Sequence, residues 1–66
     1  MGVKNRLKEI RMREHMMEPQ EFAAYIGVNY KTYYSWERSV VGPSLETALI
    51  IAKKLNKKVE DIWYYE

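Results

Sequence analysis

Apolar residues recur at helical intervals in successive stretches of the chain, and the breaks between those stretches carry turn chemistry. Val3, Leu7 and Ile10 at i, i+4 and i+7, with charged residues between them, predict a first helix from about Lys4 to Glu14 with a single buried side. Phe22, Ala23 and Ile26 give the second, Pro19 to Ile26, one apolar face, and the small Ala23 lets another backbone come close. Pro19 stands at the first helical position, where its missing N–H costs nothing, behind Glu18 as an imperfect N-cap. A third helix is predicted from Tyr30 to about Arg38. A fourth follows the cap Ser44, and its Leu45, Ala48, Leu49, Ala52 and Leu55 form the strongest amphipathic pattern in the chain, with Ile50 pointing elsewhere.

The break between the second and third helices is the most specific. Gly27 can take the left-handed conformation that ends a helix, Val28 can plug into the core beside it, and Asn29 is a favourable N-cap for the next helix. So short a connection cannot lay two helices flat against each other. It leaves a bent pair whose second member can enter a major groove. Later, Ser39-Val40-Val41-Gly42-Pro43 reads as a loop, and Asn56 can close the fourth helix in a left-handed conformation. A short turn containing Val59 and Ile62 leads to Ile62-Trp63-Tyr64-Tyr65-Glu66, which favours a strand. Such a strand needs a partner, either the extended Gly2-Val3 segment or the same strand of a second subunit.

Composition narrows the function more than the fold. Sixty-six residues make one domain with little interior. The chain has no cysteine and one histidine, His15, so it has no means of building a disulfide or a thiolate metal site, and His15 reads as a surface or helix-end residue. No apolar run approaches a membrane span or a signal-peptide core, so a cytoplasmic setting without membrane contact is expected. No carboxylate pair, nucleophile with base, or glycine-rich phosphate loop stands out, so we expect a non-enzyme with no cofactor and no small-molecule ligand. The net charge of +2 is unevenly spread. Residues 1–15 carry +3, residues 16–43 carry −1, and the remainder is balanced. Any grip on phosphates must therefore come largely from Lys4, Arg6 and helix N-termini flanking the third helix.

Arg11 in the first helix, Phe22-Ala23 with Gly27-Val28, Trp36-Glu37, Pro43-Ser44-Leu45-Glu46 and Ile51-Ala52-Lys53-Lys54-Leu55 follow one another at a characteristic spacing. In that order they resemble the XRE-type helix-turn-helix regulators of the phage repressor and Cro class, over nearly the whole length. The resemblance implies an all-α, five-helix repressor-like domain spanning residues 1–66, with room for a short terminal β pairing and a helix-turn-helix unit at about 19–38. It further implies a transcriptional regulator, commonly a repressor, that binds double-stranded DNA, and the smallest members of the family often form homodimers. By position, the implied base readers are Tyr30, Lys31, Tyr34 and Ser35, with Asn29 at the mouth of the groove. Gln20, Arg38 and Ser39 are the implied flanking contacts. Lys31 suits guanine O6 and N7; a tyrosine suits a thymine methyl or a phosphate oxygen. Tyr33 and Trp36 are expected to face the core, whereas Tyr34 suits either packing or reading. The resemblance also implies a structural ion pair between Arg11 and Glu37.

The chain departs from the family pattern in four places. Pro19 stands where a glutamine often begins the second helix, Ser39 replaces the glycine after the third, the loop Val40-Val41-Gly42 lacks charge, and one residue is inserted near Met16-Met17. Large apolar residues left over from the core, namely Val40, Val41, Ile50, Trp63 and Tyr65, are then expected to form a dimer face. A competing expectation is a protein-interaction module, antitoxin-like or an accessory subunit, on a helix-turn-helix scaffold with weak or no DNA binding.

Overall fold

The two ends of the chain pair with each other. In the computed structural model, which describes residues 2–66, strand β1 (Val3–Asn5) runs antiparallel to β2 (Trp63–Tyr65), with Val3 opposite Tyr65, Lys4 opposite Tyr64 and Asn5 opposite Trp63. Reciprocal bonds between Gly2 and Glu66, at 2.8 and 2.9 Å, and a bond from Arg6 N–H to the Ile62 carbonyl at 2.8 Å extend the ladder at both ends. The terminal strand thus finds its partner within its own chain. This shortens the first helix: residues expected to open it lie in β1, Val3 is exposed rather than buried, and α1 begins at Leu7 (Leu7–Ile10). Asn5 Oδ1 accepts the Leu7 N–H at 3.1 Å, satisfying one of the donors that a helix start leaves unpaired.

From Arg11 to His15 α1 continues as a wider π-helical turn, in which the Met16 N–H reaches back to the Arg11 carbonyl. A π turn holds one more residue than an α turn, which lengthens the path from α1 to the next segment. The turn closes on Met16 in the left-handed region, at φ 50°. It returns the chain so that Met17 packs on the core. Then come α2 (Pro19–Ile26), α3 (Tyr30–Glu37), α4 (Leu45–Lys54) and α5 (Val59–Ile62), giving five helices and one small sheet among the described residues.

Each longer helix ends on a residue with positive φ. Gly27 at 84°, Ser39 at 62° and Asn56 at 59° close α2, α3 and α4. In all three a paired hydrogen bond satisfies the last carbonyls: Gly27 and Val28 N–H to Ala24 and Ala23, Ser39 and Val40 to Trp36 and Ser35, Asn56 and Lys57 to Lys53 and Ala52.

The core gathers Leu7 and Ile10 from α1, Phe22, Ala23 and Ile26 from α2, Tyr33 and Trp36 from α3, and Ile62 from α5. The α4 contribution corrects the sequence pattern. Ala48, Ile51, Ala52 and Leu55 are buried, while Leu45 and Leu49 are exposed, Leu45 by 72%. Two apolar stripes overlap on this helix, and both have helical spacing; the buried one carries two alanines, which let α4 approach its neighbours closely. Ile50 does point away from the core and is exposed. No helix among the described residues is long and apolar enough to cross a membrane.

Candidate nucleic-acid interface

Helix α3 has one face locked into the core and one free. Asn29 starts it with an extended backbone and an Oδ1 that accepts the Lys31 N–H at 2.8 Å. Gly27 and the half-buried Val28 fix the angle at which it leaves α2. Tyr33, fully buried, packs edge-on to Phe22 with ring centroids 5.6 Å apart, and Trp36 is buried beside it.

Behind the helix, polar ties join the end of α3 to the start of the chain. Arg11 Nε donates to Glu37 Oε2 at 3.2 Å and Nη2 approaches Oε1 at 3.5 Å, while Nη1 donates to the Met17 carbonyl at 3.0 Å. The expected Arg11–Glu37 pair is therefore present, and its fork also clamps the segment leaving the π turn. The Tyr33 hydroxyl donates to Glu37 Oε2 at 2.5 Å. Burial alone would lower the Arg11 pKa, but the hydrogen bond and charge of Glu37 outweigh it and hold the guanidinium above its ordinary value. Burial first, and then Glu37, push the Tyr33 phenol above its ordinary range. Asn5 adds a third tie, its Nδ2 donating to the Trp36 carbonyl at 2.5 Å.

On the free face Tyr30 is 39% and Tyr34 45% exposed, Lys31 is exposed and Ser35 half-buried. The two tyrosine rings lie 6.0 Å apart, and the Arg38 guanidinium carbon sits 5.4 Å from the Tyr34 ring centroid. A polar and aromatic helix face, rigidly backed and bent away from the preceding helix, is the shape that enters a major groove.

The helix-turn-helix family model matches residues 7–62. The chain belongs to the XRE-type helix-turn-helix family. That is a family of DNA-binding transcriptional regulators and not an enzyme class. The chain is similar to an uncharacterised HTH-type transcriptional regulator of Methanocaldococcus jannaschii, 38% identical over 64 residues, which cover 97% of this chain and 96% of that protein. It is likewise similar to an uncharacterised HTH-type transcriptional regulator of Archaeoglobus fulgidus, 34% identical over 64 residues covering 97% and 89%.

Within this family frame the structure gathers Asn29, Tyr30, Lys31, Tyr34, Ser35 and Arg38 along one helix, with Ser39 exposed just past its end. Gln20 is exposed in the first turn of α2, whose N-terminus Glu21 closes by accepting the Glu18 N–H at 3.0 Å. Thr32 is also exposed on α3. Asn5 escapes the motif-based reading: an asparagine before a helix signals a cap, but nothing local signals its bond to a carbonyl 31 residues away. His15 is half-buried at a helix end, its ring 5.2 Å from Phe22 and 5.3 Å from Tyr25.

The residues expected at a dimer face divide. Val40, Val41, Ile50 and Tyr65 are exposed, but Trp63 is only 8% exposed and belongs to the core. Its place in β2 opposite Asn5 turns the indole inward, and its Nε1 finds no acceptor among the described residues. Trp63 instead floors an open apolar hollow lined by Val3, Pro43, Leu45, Ala48 and Val59, which Val40 and Val41 continue on the side of the loop.

Proposed function

We propose that the protein is a sequence-specific transcriptional regulator, a repressor, that binds a palindromic operator as a homodimer. Each subunit places α3 in one of two successive major grooves about 34 Å apart. The observation that carries this reading is the division of α3: Tyr33 and Trp36 are locked inward, and Tyr30, Lys31 and Tyr34 are turned outward on a rigid back, with Ser35 half-buried beside them. Asn29 and Gln20 flank that face at the N-termini of α3 and α2, and Arg38 and Ser39 follow its C-terminal end.

The homodimer reading is supported by the uncharged surface of Val40, Val41, Leu45 and Val3, which continues into Tyr65 through its pairing with Val3. Val40 lies three residues beyond α3 and its N–H is bonded to the Ser35 carbonyl, so a partner held there would set the spacing of two reading helices. The same surface supports the protein-interaction alternative, which differs by predicting no dependence on DNA.

Selection from a random duplex pool at low salt tests the reading. The expected result is an enriched inverted repeat with half-sites about one helical turn apart, and log affinity falling with log salt. A pool with no enriched site and a flat salt response would overturn the regulator reading in favour of the interaction module.

A further inference from the structure

The free face of α3 lacks the side chains that usually read bases by paired hydrogen bonds. Bidentate recognition of adenine needs an amide offering donor and acceptor together, and that of guanine is commonest with arginine. Asn29 carries the amide nearest the helix start, but its oxygen is committed to the Lys31 N–H at 2.8 Å. Ser35 is half-buried, and Arg38 lies at the far end of the helix over the Tyr34 ring. Lys31 is thus the one cation among the outward residues of α3 ahead of its C-cap. What dominates the face is aromatic: Tyr30, Tyr34 and Arg38 follow at i, i+4 and i+8, the rings tilted 34° to each other with centroids 6.0 Å apart.

We propose that this strip reads thymine methyl groups, so that each half-site is specified chiefly by apolar contact with A·T pairs in the major groove. The inference rests on the DNA-binding reading and names what that surface recognises. The C5 methyl is the single apolar group that major-groove base edges offer, and only thymine carries it. Two half-exposed phenol rings give apolar area without flexible ends, and their separation exceeds the ~3.4 Å rise between bases along a strand, enough for the two rings to reach neighbouring pairs. The Tyr34 ring has the Arg38 guanidinium carbon 5.4 Å from its centroid and the Tyr30 ring 6.0 Å from it, so it is contacted by both neighbours along the strip.

The test replaces thymine by deoxyuridine, one position at a time, in the operator recovered from the pool. Uracil keeps every hydrogen-bonding group and removes only the methyl. Affinity is expected to fall about fourfold at each contacted position, the value of one apolar carbon removed from water. The Tyr30→Ala and Tyr34→Ala variants, altered at exposed positions, should bring the thymine-to-uracil ratio towards one. Lys31→Ala should weaken binding while keeping that ratio. Equal affinity for both duplexes, or a ratio unchanged in both tyrosine variants, would overturn the inference while operator binding itself stands. Absence of any operator would overturn the inference together with the function it rests on.

Discussion

Ser39 separates two exposed regions that the chain builds in opposite ways. Before it lies the α3 face, whose outward tyrosines and lysine stand on a back fixed by Tyr33, Trp36 and the Arg11–Glu37 pair. After it come Val40, Val41 and Leu45, joined by Val3 and Tyr65 from the paired chain ends, apolar and exposed. Both regions are exposed, yet only the first is locked from behind by charged and hydroxyl groups. Its preorganised backing suits a surface that must read fixed positions, and the bare apolar surface suits association.

The largest effect should come from unlocking the first region. Replacing Arg11 by Met would leave Glu37, whose side chain is 11% exposed, without its ionic partner. Breaking such a pair by removing one member typically costs about 3–5 kcal/mol, so urea unfolding of Arg11→Met should lose about 3 kcal/mol or more. A loss under about 1 kcal/mol would show that the pair is solvated and that the backing of α3 is mainly apolar.

Tyr33→Phe probes the same backing more gently, removing one hydroxyl from Glu37 and costing about 1–2 kcal/mol at neutral pH. It also carries a pH signature. The folded phenol titrates above its ordinary value of about 10, so its contribution is complete below that pH. Above it the unfolded chain releases the proton while the folded chain keeps it, and stability falls by about 1.4 kcal/mol per pH unit until the folded phenol ionises. The Phe variant should therefore lose stability less steeply between about pH 10 and 11. Identical slopes for the two proteins would mean that the hydroxyl is not held as the structure has it.

How much of this contrast the sequence discloses depends on how local its causes are. Gly27 and Asn29 act on their own neighbours, so the turn between α2 and α3 follows from residue type and spacing, whereas the inward placement of Tyr33 and Trp36 is implied by the family resemblance. The outward placement of Tyr30, Lys31 and Tyr34 follows from the helical period. Nonlocal causes leave weaker marks. The π turn adds a residue without disturbing the alternation of charges around it, and α4 offers two apolar stripes of equal period. Trp63 fits either a core or a face, since a strand aromatic takes its side from pairing register, here opposite Asn5.

Ser39→Gly tests the junction between the regions and should be modestly favourable. A side chain at φ 62° costs about 1–2 kcal/mol relative to the right-handed form, and glycine gives back roughly half of that gain as extra freedom when unfolded. A net stabilisation of about 0.5–1 kcal/mol, seen as a higher urea midpoint at unchanged slope, is expected. A destabilised variant would mean that the serine hydroxyl contributes more than its backbone strain removes.

The smallest change in folding should accompany the sharpest separation of the two regions. Val41→Lys alters an exposed residue that the core does not use, so unfolding of the monomer should shift by no more than about 0.5 kcal/mol. In an interface the same ammonium would be buried without a partner, and association at tens of micromolar should weaken more than tenfold by light scattering. Leu45→Lys should act alike, because it lines the same hollow. Ile50→Lys is the informative contrast: Ile50 is equally exposed but lies on the side of α4 away from the core and outside that hollow. If Ile50→Lys dissociates the protein while Val41→Lys does not, the seam runs along α4 and the apolar loop serves some other contact. If Val41→Lys yields a stable monomer that still recognises a single half-site weakly, reading and association are separable properties of the two sides of Ser39.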